Sequence, residues 1–273
     1  MPDREKLLGK LRDYPGLFVA FSGGVDSAVL LRAALEALGP DRVACATFRS
    51  ALLSGRDLSD AALLAEKWGV SHVFLDVDEF SIPEVLHNDV RRCYFCKRLA
   101  FETLLAYQRE HYPGWVLADG TNADDLHQYR PGLQALRELE VASPLALCGL
   151  QKDQVRALAR ELGVEVSEKP SSPCLATRLP YGTTLTRELL RRIELAEEAV
   201  RKAGVSTVRV RVHGEIARIE TEPQAFSKLL GNHRLVTELH QLGFTYITLD
   251  LDGFRSGSMD RFPGRSESSK AGV

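Results

Sequence analysis

Six consecutive residues, Ser22-Gly23-Gly24-Val25-Asp26-Ser27, carry the clearest chemistry in this chain. An apolar run, Leu17 to Phe21, precedes them, and a helical pattern, Ser27 to Leu38, follows. Two glycines let the backbone turn sharply and come close to a ligand. Free N–H groups at a helix start then point at an anion, helped by the helix dipole. Ser22 and Ser27 add hydroxyl donors. Asp26 is out of place beside phosphate unless it accepts from the loop or helps to hold Mg²⁺. A bare Gly-Gly would read as an ordinary strand-to-helix turn; the full pattern between strand and helix reads as a phosphate loop.

A second polar segment, Asp119-Gly120-Thr121-Asn122-Ala123-Asp124-Asp125, follows the apolar run Trp115 to Ala118. Ligands of open α/β sheets gather at the carboxyl ends of strands. Thr121 there can fix a ribose or phosphate oxygen, and Asp124 and Asp125 can hold Mg²⁺ against phosphates. The competing reading is a solvated loop in which Asn and Asp serve turn chemistry. Tyr129-Arg130-Pro131-Gly132 then offers the Arg130 guanidinium, a good phosphate or carboxylate partner, on a backbone stiffened by proline.

Of five cysteines, Cys45 and Cys148 lie in apolar runs and read as inert core. Cys93 and Cys96 stand one helical turn apart in Cys93-Tyr94-Phe95-Cys96-Lys97, and Cys174 sits in Ser172-Pro173-Cys174-Leu175. Zinc normally needs four ligands, and no second Cys-x-x-Cys is present. Three thiolates can hold an iron–sulfur cluster with one open iron, form a redox pair, or merely occupy a helix and a loop. Near Arg178 and Lys169, Cys174 also fits a nucleophile with a lowered pKa, with a small buried hydrophobe as the alternative.

These groups must be held by a scaffold. Strands are expected at Leu17–Phe21, Val43–Thr47, Val73–Val77, Trp115–Ala118 and Val141–Leu145. Helices are expected at 27–38, at 59–68 with Ser59 as N-cap, at 92–110 and at 151–162. The strands are apolar without alternation, as strands covered on both faces should be. The pattern implies α/β architecture with a Rossmann-like, doubly wound parallel sheet over 1–168. Residues 169–185 read as a Pro-rich loop carrying Cys174, and 186–255 as a smaller α+β domain. That domain has a helix at 186–203, a hairpin around His213-Gly214-Glu215, a helix at 223–242 and a strand at 246–249. Arg209 and Arg211 share one side of the hairpin's first strand, either binding anions or facing water. Residues 256–273 read as a disordered tail.

With 273 residues, 44% hydrophobic and 26% charged, the composition is that of a globular protein. A net charge of −2 gives no support to bulk nucleic-acid binding. No apolar run reaches membrane-spanning length, and the charged stretch Met1 to Lys10 lacks a signal core, so a cytoplasmic protein with no membrane partner is expected.

Ser22 to Ser27 resembles the PP-loop of N-type ATP pyrophosphatases, which split ATP between the α and β phosphates. The resemblance implies pyrophosphate binding by Ser22, Gly23, Gly24, Asp26 and Ser27, with Thr47 beside the adenine. Four further strings narrow it: Arg92 to Lys97, Asp119 to Asp125, Tyr129 to Gly132, and Pro170 to Arg178. With Val208-Arg209-Val210-Arg211-Val212-His213-Gly214 they resemble the LarE family, sulfur transferases of nickel-pincer cofactor synthesis for lactate racemase. The resemblance implies the adenine nucleotide alpha hydrolase fold, ATP and Mg²⁺, and a pyridinium dicarboxylate mononucleotide substrate. Cys174 would supply sulfur itself, or share a 4Fe-4S cluster with Cys93 and Cys96. The family also implies a trimer-based homo-hexamer. An acid is frequent in the family where Gln128 stands here. Rival readings are a tRNA thiolase, an amidotransferase-type synthetase, and a non-catalytic nucleotide-binding redox sensor.

Overall fold

The computed structural model describes residues 2–127, 131–167, 173–255 and 258–259. The chain forms two compact units, Met1–Cys174 and Leu175–Val273.

The first unit is built on a four-stranded parallel sheet: β1 (Leu17–Ala20), β2 (Val43–Arg49), β3 (Ser71–Asp76) and β4 (Val116–Ala118), in the order β3-β2-β1-β4. Phe18 stands between Ala44 and Leu117, and Val19 between Cys45 and Ala118, so each strand presents apolar side chains to both faces. On one face Leu17, Val19, Val43 and Cys45 pack with helices α1 (Pro2–Arg12), α2 (Val25–Leu38) and α3 (Gly55–Lys67). On the other, Phe18, Ala44, Ala46 and Leu117 pack with α4 (Arg92–His111) and α5 (Pro131–Glu138). Helix α6 (Lys152–Glu161) returns to the first face through Val155, Leu158 and Ala159. Two covered faces make this a doubly wound α/β unit, and each fully buried Leu or Phe contributes about 1.5–3 kcal/mol.

Two local expectations need correction. Val141–Leu145 is not a strand: Ala142 makes a single parallel bridge to Ala118, and Pro144 then starts a helical turn. Proline has no N–H for a ladder, and its fixed φ suits the first turn of a helix. Helix α3 begins four residues earlier than expected; Ser54 caps it by accepting from Asp57 N, and Ser59 bonds back to Gly55 O within the helix. The charged N-terminus hides helix α1, whose Leu7, Leu8 and Leu11 are buried.

In the second unit a 3-10 turn, Leu175–Arg178, leads to α7 (Arg187–Lys202). Strands β5 (Val208–His213) and β6 (Ile216–Thr221) form the expected hairpin, and β7 (Tyr246–Leu249) joins β6 in parallel. The expected continuous helix over 223–242 is broken: a turn at Phe226–Leu229 ends before Gly231 (φ +71°), and Asn232 caps a new helix, α8 (His233–Gln241). Within the expected tail, Ser258 Oγ donates to Glu220 Oε1 at 2.7 Å; the rest of 256–273, Met259 aside, lies outside the described residues. No helix among the described residues is long and apolar enough to cross a membrane.

Candidate functional site

The strand order runs outward from β1 to β2 on one side and to β4 on the other, so the loops after β1 and β4 flank a topological switch point, where such sheets bind ligands. The loop after β1 is the Ser22–Ser27 segment. Gly23 has φ +67°, a left-handed conformation that disfavours other residues. Gly24 is the N-cap of α2 without a side chain to cap it, so the first-turn amides are not shielded. Ser27 Oγ lies 3.1 Å from Ser22 Oγ, donates to Gly24 O at 3.0 Å and accepts from Ser22 N at 3.2 Å. The loop is therefore closed on itself by its own hydroxyls, with the first-turn amides of α2 uncapped, an arrangement that suits an anion.

The loop after β4 lies directly on this helix start. A Cβ on Gly120 would fall 2.7 Å from Ser27 N and 3.0 Å from Asp26 C. Asn122 Nδ2 donates to Asp26 Oδ1 at 3.3 Å, and the Lys152 ammonium, at the start of α6, pairs with Asp26 Oδ2. Asp26 thus accepts from neighbouring segments, which accounts for a carboxylate beside a phosphate loop. Lys152 N–H in turn donates to Asp124 Oδ2 at 2.8 Å.

Other acidic residues have structural partners. Asp119 accepts from Thr121 Oγ1 at 2.6 Å and Ser143 Oγ at 2.7 Å, with Lys97 Nζ at 3.7 Å. Asp125 and Asn122 form a reciprocal capping box over Ala123–Leu126. Thr47 is buried at the end of β2; its hydroxyl donates to Phe21 O at 2.7 Å and lies 2.8 Å from His72 Nε2. Since the hydroxyl's single proton goes to Phe21, His72 Nε2 is the donor. Burial lowers the His72 pKa. Arg130 lies outside the described residues, as do Gln128, Tyr129 and Lys169.

Cys45 and Cys148 are buried, and burial pushes the Cys45 thiol up to about 12. Burial also pushes the Cys96 thiol well up, and neighbouring Glu79, Cys174 and Cys93 push the same way, so the three polar cysteines share one neighbourhood. Cys93 is exposed, and Cys174 is half-buried. Among the described residues no group of three or more Cys, His, Asp or Glu side chains is arranged to hold a metal ion.

The second unit contains a buried charge cluster. Arg209 and Arg211 are 6% and 4% exposed, so the solvated-face reading does not hold. Arg211 pairs with Glu220 at 2.8 Å and donates to Thr177 O. Arg178, four residues beyond Cys174, grips Glu197 through Nε at 2.8 Å and a terminal nitrogen at 3.2 Å. Arg209 donates to Val208 O at 2.7 Å. Burial first, and then repulsion from Arg178, holds its guanidinium down to about 10, against the pull of Glu197. Among the described residues, Arg178, Arg201, Arg209, Arg211 and Arg218 are gathered around Glu197, Glu220 and Asp250.

No family model matches the chain. It is 38% identical over 264 residues to an uncharacterised protein of Synechocystis sp., covering 94% of this chain and 98% of that one. It is also 38% identical over 255 residues to the pyridinium-3,5-bisthiocarboxylic acid mononucleotide synthase of Lactiplantibacillus plantarum, covering 93% and 92%. The chain belongs to the LarE family. More distantly, the tRNA-specific 2-thiouridylase MnmA of Azorhizobium caulinodans is 30% identical over 189 residues, 56% of this chain and 48% of that protein. That likeness agrees with the strand order in assigning this LarE-family chain to the PP-loop superfamily.

Lys152, Ser143, His72 and Glu79 were not legible as site residues. Lys152 meets Asp26 across 126 positions, and nothing in its own surroundings marks it. His72 lies in a strand that begins with Ser71 and ends with Asp76, so a polar residue there carries no signal of its own, and only the register of β2 on β3 brings it near Thr47.

Proposed function

We propose that this chain is an ATP-dependent sulfur transferase acting on a pyridinium dicarboxylate mononucleotide, with AMP and pyrophosphate as by-products. One observation carries the reading: the Gly23–Gly24 turn and the bare start of α2, closed over by Gly120, form a phosphate cradle at the sheet's switch point in a LarE-family chain. The named synthase, aligned over 92% of its length, supplies the substrate class.

A carboxylate resists nucleophiles because its leaving group would be oxide. Transfer of AMP from ATP makes an acyl adenylate and releases pyrophosphate. The α2 amides and the Ser22 and Ser27 hydroxyls stabilise charge on the departing group. Mg²⁺ would be held by Asp26 and Asp124, both already on Lys152, and would neutralise phosphate charge; one or two carboxylates plus phosphates is its usual ligand set. Cys174 thiolate then attacks the acyl carbon and expels AMP, giving a thioester. Loss of the Cys174 α-proton and cleavage of its Cβ–S bond release a thiocarboxylate and leave dehydroalanine. The alternative sulfur source is a sulfide on a 4Fe-4S cluster that Cys93, Cys96 and Cys174, which share one neighbourhood, would hold. Thr47 keeps its proposed place beside the adenine, and Arg209 and Arg211 are the proposed holders of the substrate phosphate. Lactate racemase, through its nickel-pincer cofactor, is the proposed consumer.

The test is the intact mass of anaerobically purified protein before and after turnover with ATP, Mg²⁺ and the pyridinium dicarboxylate, with mapping of Cys174. Loss of the elements of H₂S at Cys174, matched by AMP, is expected. Thiolated product with Cys174 unchanged would move the sulfur source elsewhere. Neither product nor AMP would overturn the reading. A tRNA thiolase, the activity named in MnmA, is disfavoured by the net charge of −2.

A further inference from the structure

Two hydrogen bonds behind the phosphate loop have no part in the mechanism above. Strand β1 ends at Ala20, and Phe21 N–H still donates to Ala46 O at 2.8 Å, as a strand residue would. The chain then leaves the sheet through Ser22 and the left-handed Gly23. At that exit the Phe21 carbonyl takes a bond from a side chain. Thr47 Oγ1 donates to it at 2.7 Å, and His72 Nε2 donates to Thr47 Oγ1 at 2.8 Å.

The relay does not stop at Phe21. The Phe21 carbonyl and the Ser22 N–H belong to one planar peptide group, so fixing the first fixes the direction of the second. Ser22 N–H donates to Ser27 Oγ at 3.2 Å, and Ser27 Oγ donates to Gly24 O at 3.0 Å. A continuous chain of hydrogen bonds thus runs from β3, through β2, into the loop and the start of α2. Hydrogen bonds in such a chain polarise one another. Phe21 and Thr47 are buried, so water does not compete for the links. The His72 ring is itself fixed, edge-on to Phe74 with centroids 4.8 Å apart and edge-on to Phe21 at 6.3 Å. A hydroxyl has one proton, and that of Thr47 is spent on Phe21. Thr47 can therefore stand beside an adenine without donating to a purine nitrogen.

We infer that His72 is a positioning residue of the phosphate loop, acting through the Thr47 hydroxyl on the Phe21–Ser22 peptide group. His72 touches no ligand in this role. It holds the plane from which the loop springs, and amides that face an anion work only when held to within a fraction of an ångström. The inference rests on the ATP-dependent reading for its ligand, and on the hydrogen bonds alone for its geometry.

The experiment compares wild type with Thr47→Val, His72→Phe and His72→Gln, each checked by thermal melting and studied below its melting temperature. Valine keeps the shape of threonine without the hydroxyl, phenylalanine keeps a ring without the donor, and glutamine keeps an N–H donor. The first readout is hydrogen–deuterium exchange of the unliganded protein. Peptides spanning 21–28 should exchange faster in Thr47→Val and His72→Phe, with 152–161 unchanged and His72→Gln close to wild type. The second is calorimetric binding, with Mg²⁺, of inorganic pyrophosphate, ATP and inosine triphosphate. All three should weaken by one common factor of about fivefold in Thr47→Val and His72→Phe, the scale of one neutral hydrogen bond. Wild-type exchange over 21–28, faster exchange spread equally over 152–161, or unchanged pyrophosphate affinity in Thr47→Val would overturn the inference. Loss of ATP affinity without loss of pyrophosphate affinity would put the hydroxyl on the purine and overturn it too. A wild-type protein that binds neither ATP nor pyrophosphate overturns the ATP-dependent reading itself, while the exchange readout, which needs no ligand, still decides the relay.

Discussion

Replacing Gly120 with alanine tests whether the loop after β4 is the lid of the phosphate cradle. The added Cβ would meet Ser27 N at 2.7 Å and Asp26 C and Ser27 Cα at 3.0 Å. All three are backbone atoms, so no side chain can swing aside; either the β4 loop lifts or the first turn of α2 moves. Overpacking of this kind costs about 1–3 kcal/mol. For a unit of this size that lowers Tm by about 2–12 °C. Stability loss alone would say nothing about the site, so a matched control is needed. Gly163, beyond the far end of α6, has φ +67° and open space around it. Gly163→Ala costs about 1–2 kcal/mol through backbone strain, without touching α2. Both variants are expected to melt below wild type, and only Gly120→Ala should lose ATP affinity, by about tenfold or more, since it shifts the amides that face the phosphates. Calorimetric titration with ATP below both melting temperatures gives the answer. Wild-type affinity in Gly120→Ala, or an equal loss in Gly163→Ala, would refute the lid.

Glu197 is 2% exposed and accepts from Arg178, Arg201 and Val210 N, so Glu197→Ala leaves buried guanidiniums unmatched and is expected to cost about 3–5 kcal/mol by urea unfolding. Burial alone would raise its pKa, but Arg178, then Arg209 and Arg201, outweigh it and hold it below the ordinary range. The stability it contributes is present above the unfolded carboxylate pKa of about 4.5 and is lost as pH falls through the folded value; acid unfolding curves of Glu197→Gln should lack that limb. His72 has a pKa lowered by burial, so the unfolded chain takes the proton first and stability falls as pH drops from about 6.5 through the folded value. His72→Gln should flatten the change in melting temperature between pH 7.5 and 5.5, and an unchanged slope would place the effect elsewhere. Iodoacetamide on the folded protein near neutral pH should label exposed Cys93 well before Cys45, whose thiol lies up at about 12; equal rates on peptide mapping would contradict the burial assigned to β2.

Much of the first unit was legible because its information is local. Leu17 to Phe21 is apolar on both faces, and Gly-Gly before a helical pattern marks a turn only glycine makes well, so the strand, the loop and α2 follow from neighbours in the chain. Local pattern also misled. Val141 to Leu145 has strand composition, yet Pro144 turns it into a helix after one bridge. Val208 to Val212 alternates like a half-exposed strand, yet both faces are buried, because Glu197 and Glu220 make burial of Arg209 and Arg211 affordable.

The sequence by itself determined the residue types at the phosphate loop, the α/β pattern around it and the family to which the chain belongs. Only the tertiary structure decided which charges meet. Asp26 finds Lys152 across 126 residues, Thr47 finds His72 through the register of β2 and β3, and Gly120 presses on Ser27 because β1 and β4 are neighbours. The reason is physical: a glycine turn or an apolar strand is favoured by the few residues around it, whereas an ion pair or a close backbone approach exists only once a sheet order has brought distant segments within a few ångströms.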